Sequence, residues 1–257
     1  MTLFDAALIA LGAFAAGAVN SIAGGGTFFS FPALLAVGVP PVVANASNSV
    51  SLWPGSLSGA WAYKRELVPL KRYLLPMGVA SFIGGICGGL LLLLTKDATF
   101  KRLIPWLLAF ATLLFAFSGQ ISAALRRWRK VAPGAATRPR GGALGWLGQL
   151  LVSIYGGFFG AGMGILMMAS LAIAGHEDVQ EINAIKNLLS AVIYSVTVVT
   201  FIVAGAVSWP HTLVMIVTAT LGGYAGASMA RRVPALWLRR AVIATGVLLT
   251  LYYFQAP

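Results

Sequence analysis

Charged residues are absent from long parts of the chain, and their positions mark its organisation. The stretches 6–63, 73–95, 103–125, 141–176, 187–230 and 241–257 contain no Asp, Glu, Lys or Arg. Within them Leu, Ala, Val, Ile and Phe run continuously, without the alternating polar and apolar positions of a lipid-facing barrel strand. A hydrocarbon core about 30 Å thick needs roughly 20 apolar residues per helix, so these windows predict about eight crossings or near-crossings. The fold class expected is all-α, a polytopic transmembrane helix bundle, multi-pass in the cell (inner) membrane.

Glycine clusters interrupt two of these windows at equivalent places. The run from Phe4 to Ile22 breaks at Gly24, Gly25 and Gly26 and resumes over 27–37. Its second piece, roughly 11 residues or about 16 Å of helix, is too short to cross alone, which predicts a hairpin returning towards its side of entry. Shifting the chain along itself by 138 residues lays Gly24 and Gly26 on Gly162 and Gly164, and Asn45 and Ala46 on Asn183 and Ala184. The same shift lays Gly84, Gly85 and Gly88 on Gly222, Gly223 and Gly226, and Lys101-Arg102 on Arg239-Arg240. The chain therefore reads as a duplication: a first transmembrane repeat over 1–121, a basic cytoplasmic linker over 122–141, and a second repeat over 142–257. After each interrupted element three helices are expected, over 41–63, 70–94 and 102–121, then over 180–206, 211–230 and 238–254. An odd number of full crossings per repeat makes these two inverted-topology repeats with Gly-broken helices.

Charge tests the inversion. Of eighteen Lys and Arg residues, fourteen fall in 64–72, 126–140 and 231–240, which inverted repeats place on one side; Lys96, Lys101 and Arg102 fall on the other. Parallel repeats would divide the same loops ten against seven. Cytoplasmic loops are enriched in Lys and Arg, so the inverted arrangement is preferred, with both termini outside. The net charge of +12 is then a property of loop anchors, and no contiguous basic face exists for nucleic acid. The run from Leu3 to Ile22 lacks a positive n-region and stands beside Asp5, so it reads as a retained helix and not as a cleavable signal. A single Cys87 excludes an intramolecular disulfide; set among Gly84, Gly85, Gly88 and Gly89, it reads as a packing residue.

Polar residues within the apolar windows are the candidate chemistry. Helix N-termini following Gly26 and Gly164 would turn amide donors and positive dipole ends towards mid-membrane, which suits an anion. Close packing of helices also uses glycine, and it is the recurrence of the break in both halves that points to a site. The next helix of each half begins with a second cluster: Asn45, Ser47, Asn48 and Ser49 in one, Asn183, Lys186 and Asn187 in the other. Asn and Ser donate hydrogen bonds without bringing charge into the bilayer. Lys186 adds the one fixed cation near a helix interior, either at a site or snorkelling to the interface. The candidate substrate-binding set is Gly24, Gly25, Gly26, Asn45, Ser47, Asn48, Gly162, Gly164, Asn183, Lys186 and Asn187. His176, Glu177, Asp178 and Glu181 read as a solvated acidic loop at a helix start, with proton coupling as the alternative. Trp53 and Pro54 are placed where a kink would widen a cavity.

The stretches Phe31-Pro32-Ala33-Leu34-Leu35, Gly38-Val39-Pro40-Pro41 and Ala44-Asn45-Ala46-Ser47-Asn48 resemble the TauE/SafE family of anion exporters. So do Gly160-Ala161-Gly162-Met163-Gly164 and Ile182-Asn183-Ala184-Ile185-Lys186-Asn187 of the second half, so that the resemblance covers nearly the whole chain. It implies alternating-access transport of a small anion such as sulfite, a sulfonate or a related organosulfur anion, with Asn45, Asn48, Asn183 and Lys186 lining the path. Asn48 stands where the second half has Lys186, which excludes a symmetric two-lysine site. A passive anion channel would use the same donors. A cation or metal permease needs interior carboxylates or His, and the apolar windows hold no Asp or Glu. An intramembrane hydrolase would have only Ser56 or Ser58 with His211, which no motif links. No enzymatic activity and no cofactor are expected; the partners expected are the anion, with proton coupling open, and the lipid bilayer. Homodimerisation is left open by the sequence.

Overall fold

The computed structural model describes residues 2–22, 25–130, 142–174, 176, 178–229 and 235–255. Gly24 and the linker beyond Lys130 lie outside the described residues. Every regular element described is helical: α1 (Leu3–Ile22), α2 (Thr27–Ala36), α3 (Pro41–Ala62), α4 (Lys64–Leu67) with a 3-10 turn (Val68–Leu70), and α5 (Lys71–Leu94). There follow α6 (Asp97–Lys130), α7 (Ala143–Phe158), α8 (Met163–Ala174), α9 (Val179–Val203), α10 (Trp209–Met229) and α11 (Ala235–Gln255). Four stretches among the described residues are long and apolar enough to cross a bilayer: Leu3–Asn20, Lys64–Leu94, Asp97–Gln120 and Gln180–Val203. Large apolar side chains such as Leu75, Leu94, Trp106 and Val203 are exposed on the outer faces, as contact with lipid allows.

Two helices differ from the sequence expectation. The sixth begins at Asp97 and continues to Lys130, well past 121, because Ala123, Ala124, Leu125 and Arg126 all favour helix and basic residues suit a helix C-terminus. α3 runs through Trp53 and Pro54 to Ala62 without interruption; the Trp53 indole instead donates to Ser195 Oγ of α9 at 2.8 Å. α3 is also inside out relative to a soluble helix. Asn45, Ser47, Asn48, Ser49 and Ser51 are all buried, which places this polar face at the centre of the bundle.

Pro41, Lys71 and Asp97 open α3, α5 and α6, and Val179, Trp209 and Ala235, each 138 residues further on, open α9, α10 and α11. The principal contacts exchange between the halves. α1 packs on α10 and α5 on α7; α5 meets α9 and α3 meets α10; α6 meets α8 and α11 meets α2, while α3 packs on α9 and α6 on α11.

Glycine sets how closely these helices approach. A Cβ at Gly84 would stand 2.6 Å from Ser153 Cβ and 2.7 Å from Leu150 O, and one at Gly88 would stand 2.8 Å from Phe158 N. At the α1–α10 crossing a Cβ on Gly17 would overlap the Ala219 carbonyl, and one on Gly222 the Phe14 carbonyl. Cys87, in contrast, is exposed: the four neighbouring glycines occupy the packed face and the thiol lies on the other, which corrects the reading of Cys87 as a packing residue. We expect Gly88→Leu to destabilise the purified protein by about 3 kcal/mol through overpacking, seen as a lower melting temperature in detergent. Gly55→Leu, with nothing within 4 Å of its Cβ position, should leave that temperature nearly unchanged.

Candidate functional site

Between α1 and α2 the chain turns at Gly25, whose φ of 89° is in the left-handed region; between α7 and α8 it turns at Gly160 (81°) and Gly162 (76°). Residues with a Cβ rarely adopt such angles, so these glycines allow the chain to reverse within a short span. Both turns abut the same part of α6. A Cβ on Gly25 would meet the Phe115 ring at 2.6 Å, and one on Gly162 would lie 3.5 Å from Leu114 and 3.6 Å from Ala111. Phe31 of α2 packs edge-on against Phe159 at 5.6 Å between ring centres, and Phe100 of α6 flanks both. The two glycine turns are therefore tied to one aromatic core.

Asn45 and Asn48 on the buried face of α3 engage these turns. Asn48 Oδ1 accepts from Ser30 Oγ, and its amide points at Thr27 Oγ1, 3.4 Å away. It thus clasps the first turn of α2 beside Gly26. Asn45 reaches across to the other half, its Nδ2 donating to Phe158 O at 2.8 Å. A carbonyl partner fixes which end of the amide is the donor, so the buried Oδ1 faces away and has no partner. In this conformation Asn45 offers an acceptor, whereas the sequence reading gave it a donor's role. Ser47 Oγ accepts from Ser208 N at 2.9 Å.

The second half is built differently at equivalent positions. Lys186 is half-buried, and its Cδ lies 3.6 Å from the Cβ position of Gly164 at the start of α8. Asn187 faces Gly59 of α3 at 3.6 Å, and Asn183 is half-buried on the same helix. Among the described residues neither Asn183 nor the Lys186 ammonium has a hydrogen-bond or ion-pair partner. The structure thus places Gly25, Gly26 and Asn48 at the first turn, Asn45 against the end of α7 at the second, and Gly164 beside the Lys186 side chain; Gly162 stands against α6, and Ser47 is turned towards the α9–α10 connection. Thr27, Ser30, Ser208 and Phe115 complete these contacts and were not singled out from the sequence. Thr27 and Ser30 directly follow the glycine triplet, which was the available signal.

The acidic loop also departs from expectation. His176 is buried, with Nδ1 against Glu181 Oε1 and its ring 4.6 Å from that of Tyr73. A ring so packed is not solvated. Asp178 does act as a helix cap, accepting from Gln180 N at 2.9 Å. Among the described residues no group of three His, Cys, Asp or Glu side chains is placed to hold a metal.

A cavity of about 730 Å³ is lined by Leu8, Phe29, Pro32, Leu35, Tyr252 and Lys101, among others. It includes none of the eleven candidate residues, and it is predominantly apolar. Its origin is the shortness of α2: ten residues span about 15 Å, half the hydrocarbon thickness, leaving a lateral cleft between α1, α6 and α11.

The family pattern described as "Sulfite exporter TauE/SafE" matches residues 9–253, nearly the full chain. The chain belongs to the TauE/SafE family. It is 27% identical to a Haemophilus influenzae protein named "Probable membrane transporter protein", over 92% of this chain and 89% of that one. It is also 27% identical to a Sinorhizobium protein of the same description, ORF9, over 98% and 93% of the two chains. Identity to the Escherichia coli K12 protein YfcA, again so described, is 28% over 83% and 76%. No solved structure matches the chain. This TauE/SafE protein is accordingly a multi-pass membrane transporter, and family and relatives alike speak for transport and not for an enzyme.

Asn48→Ala should lower the stability of the protein by about 1 kcal/mol, because the tie from α3 to the start of α2 is lost while the Ser30 hydroxyl keeps Gly26 O as an acceptor; thermal unfolding in detergent measures it. Asn187→Ala, which removes no hydrogen bond among the described residues, should cost much less.

Proposed function

We propose that this chain is a secondary transporter that moves a small anion, sulfite, a sulfonate or a related organosulfur anion, by alternating access between two inverted repeats. The family description supports the substrate class. The recurrence of helix starts at a spacing of 138 residues, and the exchange of helix partners between halves, support two repeats over 1–121 and 142–257. The basic loops on one side support their inversion. In this reading α1–α2 and α7–α8 are the glycine-broken elements, and the all-helical build points to the cell (inner) membrane, since outer-membrane spans are barrels.

One observation carries the anion assignment: the side chain of Lys186, whose ammonium has no partner among the described residues, passes Gly164 at the N-terminus of α8. A cation and a helix N-terminus both favour negative charge. An unpaired cation in a low-dielectric interior is costly, and a bound anion relieves that cost. Gly24, Gly25, Gly26, Asn45, Ser47, Asn48, Gly162, Asn183 and Asn187 are assigned to the walls of the path. The coupling ion is assigned to the proton on a separate observation: the buried His176–Glu181 pair begins the helix that carries Lys186.

Lys186→Ala should reduce anion flux into reconstituted vesicles at least about tenfold, whereas Lys96→Ala, on an exposed connection, should not; normal flux in the first variant removes Lys186 from the site. A loss of about 1.4 kcal/mol of stabilisation corresponds to that factor. Wild-type flux should also respond to an imposed pH gradient at zero membrane potential. If it follows the anion gradient alone, the protein is a passive anion channel.

A further inference from the structure

Outside the proposed anion site, α5 and α9 leave an apolar groove of about 480 Å³ between them. Leu75, Gly78 and Phe82 of α5 form one wall, Leu188 and Val192 of α9 the other, and Lys71 stands at one end. The groove exists because Gly78 has no side chain: nothing lies within 4 Å of its Cβ position. Leu75 and Phe82 are exposed beside it, so the groove opens outward, where lipid surrounds the bundle.

Length and charge together identify the occupant. From Lys71 to Phe82 the helix rises about 16 Å, close to half of a 30 Å hydrocarbon core. The groove therefore runs the depth of one leaflet, from a charged end to mid-membrane. At its charged end the segment 64–72 carries Lys64, Arg65, Lys71 and Arg72 against Glu66 alone, and all four basic side chains are exposed. A second copy of the chain would have to bring an apolar ridge of matching depth and a negative group to Lys71. An anionic phospholipid carries both in one molecule, with an acyl chain of leaflet length and a phosphate at its head.

We propose that the α5–α9 groove is a binding site for an anionic phospholipid of the leaflet that faces the basic loops. One acyl chain lies over Gly78, and the phosphate is held by Lys71 with Arg72 beside it. The site is separate from the anion path, so it stands or falls independently of the transport reading.

The test is native mass spectrometry of the detergent-purified protein, titrated with phosphatidylglycerol and with phosphatidylcholine of identical acyl chains. The wild type should bind one phosphatidylglycerol in preference to phosphatidylcholine. Lys71→Ala should weaken phosphatidylglycerol about fivefold, in line with the contribution of one basic residue near a membrane surface, while leaving phosphatidylcholine unchanged. Gly78→Phe fills the groove in open space without a clash and should weaken both lipids. Equal binding of the two lipids to the wild type, or undiminished phosphatidylglycerol binding to Gly78→Phe, overturns the proposal. A wild-type dimer that Gly78→Phe converts to monomer with no change in bound lipid also overturns it, and assigns the groove to a second copy.

Discussion

Inside a bilayer a free amide or carbonyl has no water to turn to, and every interruption of a helix must be satisfied by the protein itself. Much of this fold follows from that requirement at two places. Between α7 and α8, Phe158 O is taken by Asn45 Nδ2 at 2.8 Å, Ala161 O accepts from the Tyr155 hydroxyl, and Tyr155 O receives the amides of Phe159 and Gly160. Between α1 and α2, Gly26 O accepts from Phe29 N at 2.9 Å and from the Ser30 amide and hydroxyl at 3.3 and 3.2 Å. The single Ser30 hydroxyl proton is shared between Gly26 O and Asn48 Oδ1. Asn45 and Ser47 of α3 thus answer backbone groups elsewhere in the chain, Phe158 O and Ser208 N, and Asn48 answers the hydroxyls of α2. Leaving such groups unpaired costs several kcal/mol each, so α3 carries amides where a lipid-facing helix carries leucine.

Glycine serves two separate ends here, and position distinguishes them. At Gly25, Gly160 and Gly162 it permits a positive φ and so lets the chain turn. At Gly17, Gly84, Gly88 and Gly222 it sits on a regular helix and lets two backbones meet. The second use matters because lipid tails are as apolar as leucine, which leaves van der Waals contact and small residues to hold helices together. The pairs α1–α10 and α5–α7 are the places where it operates, and each joins an early helix of one half to a later helix of the other. The halves therefore interlock and do not merely lie side by side.

The helical membrane class was legible from the positions of charge alone, because hydrocarbon excludes ions wherever they occur. The correspondence of helix starts was legible from residues as ordinary as Gly84 and Gly222, since a spacing survives when individual side chains change. Less could be read at the site. Asn45 was visible as a buried amide, but only the position of Phe158 O shows which end of that amide is committed. Cys87 looked like its glycine neighbours because sequence adjacency does not tell which face of a helix a residue occupies. His176 read as solvated for a similar reason: its burial comes from Tyr73, more than a hundred residues away.

The two halves also differ where their correspondence is closest. Asn48 and Lys186 occupy equivalent positions, yet their surroundings are not equivalent. Asn48 faces Thr27 and Ser30, whose hydroxyls complete its amide. The residues 138 positions after these are Ile165 and Met168, which offer a cation nothing. Had Lys186 stood opposite carboxylates, it would be a structural ion pair; had it stood opposite hydroxyls, it would be partly solvated by them. The Lys186 side chain passes the glycine at the start of α8, and among the described residues its charge has no partner. Of two positions 138 residues apart, one is thus closed by neutral hydrogen bonds and the other carries a cation without a partner among the described residues. The first position ties α3 to the start of α2; in the proposed transport reading the second supplies the charge that an anion meets.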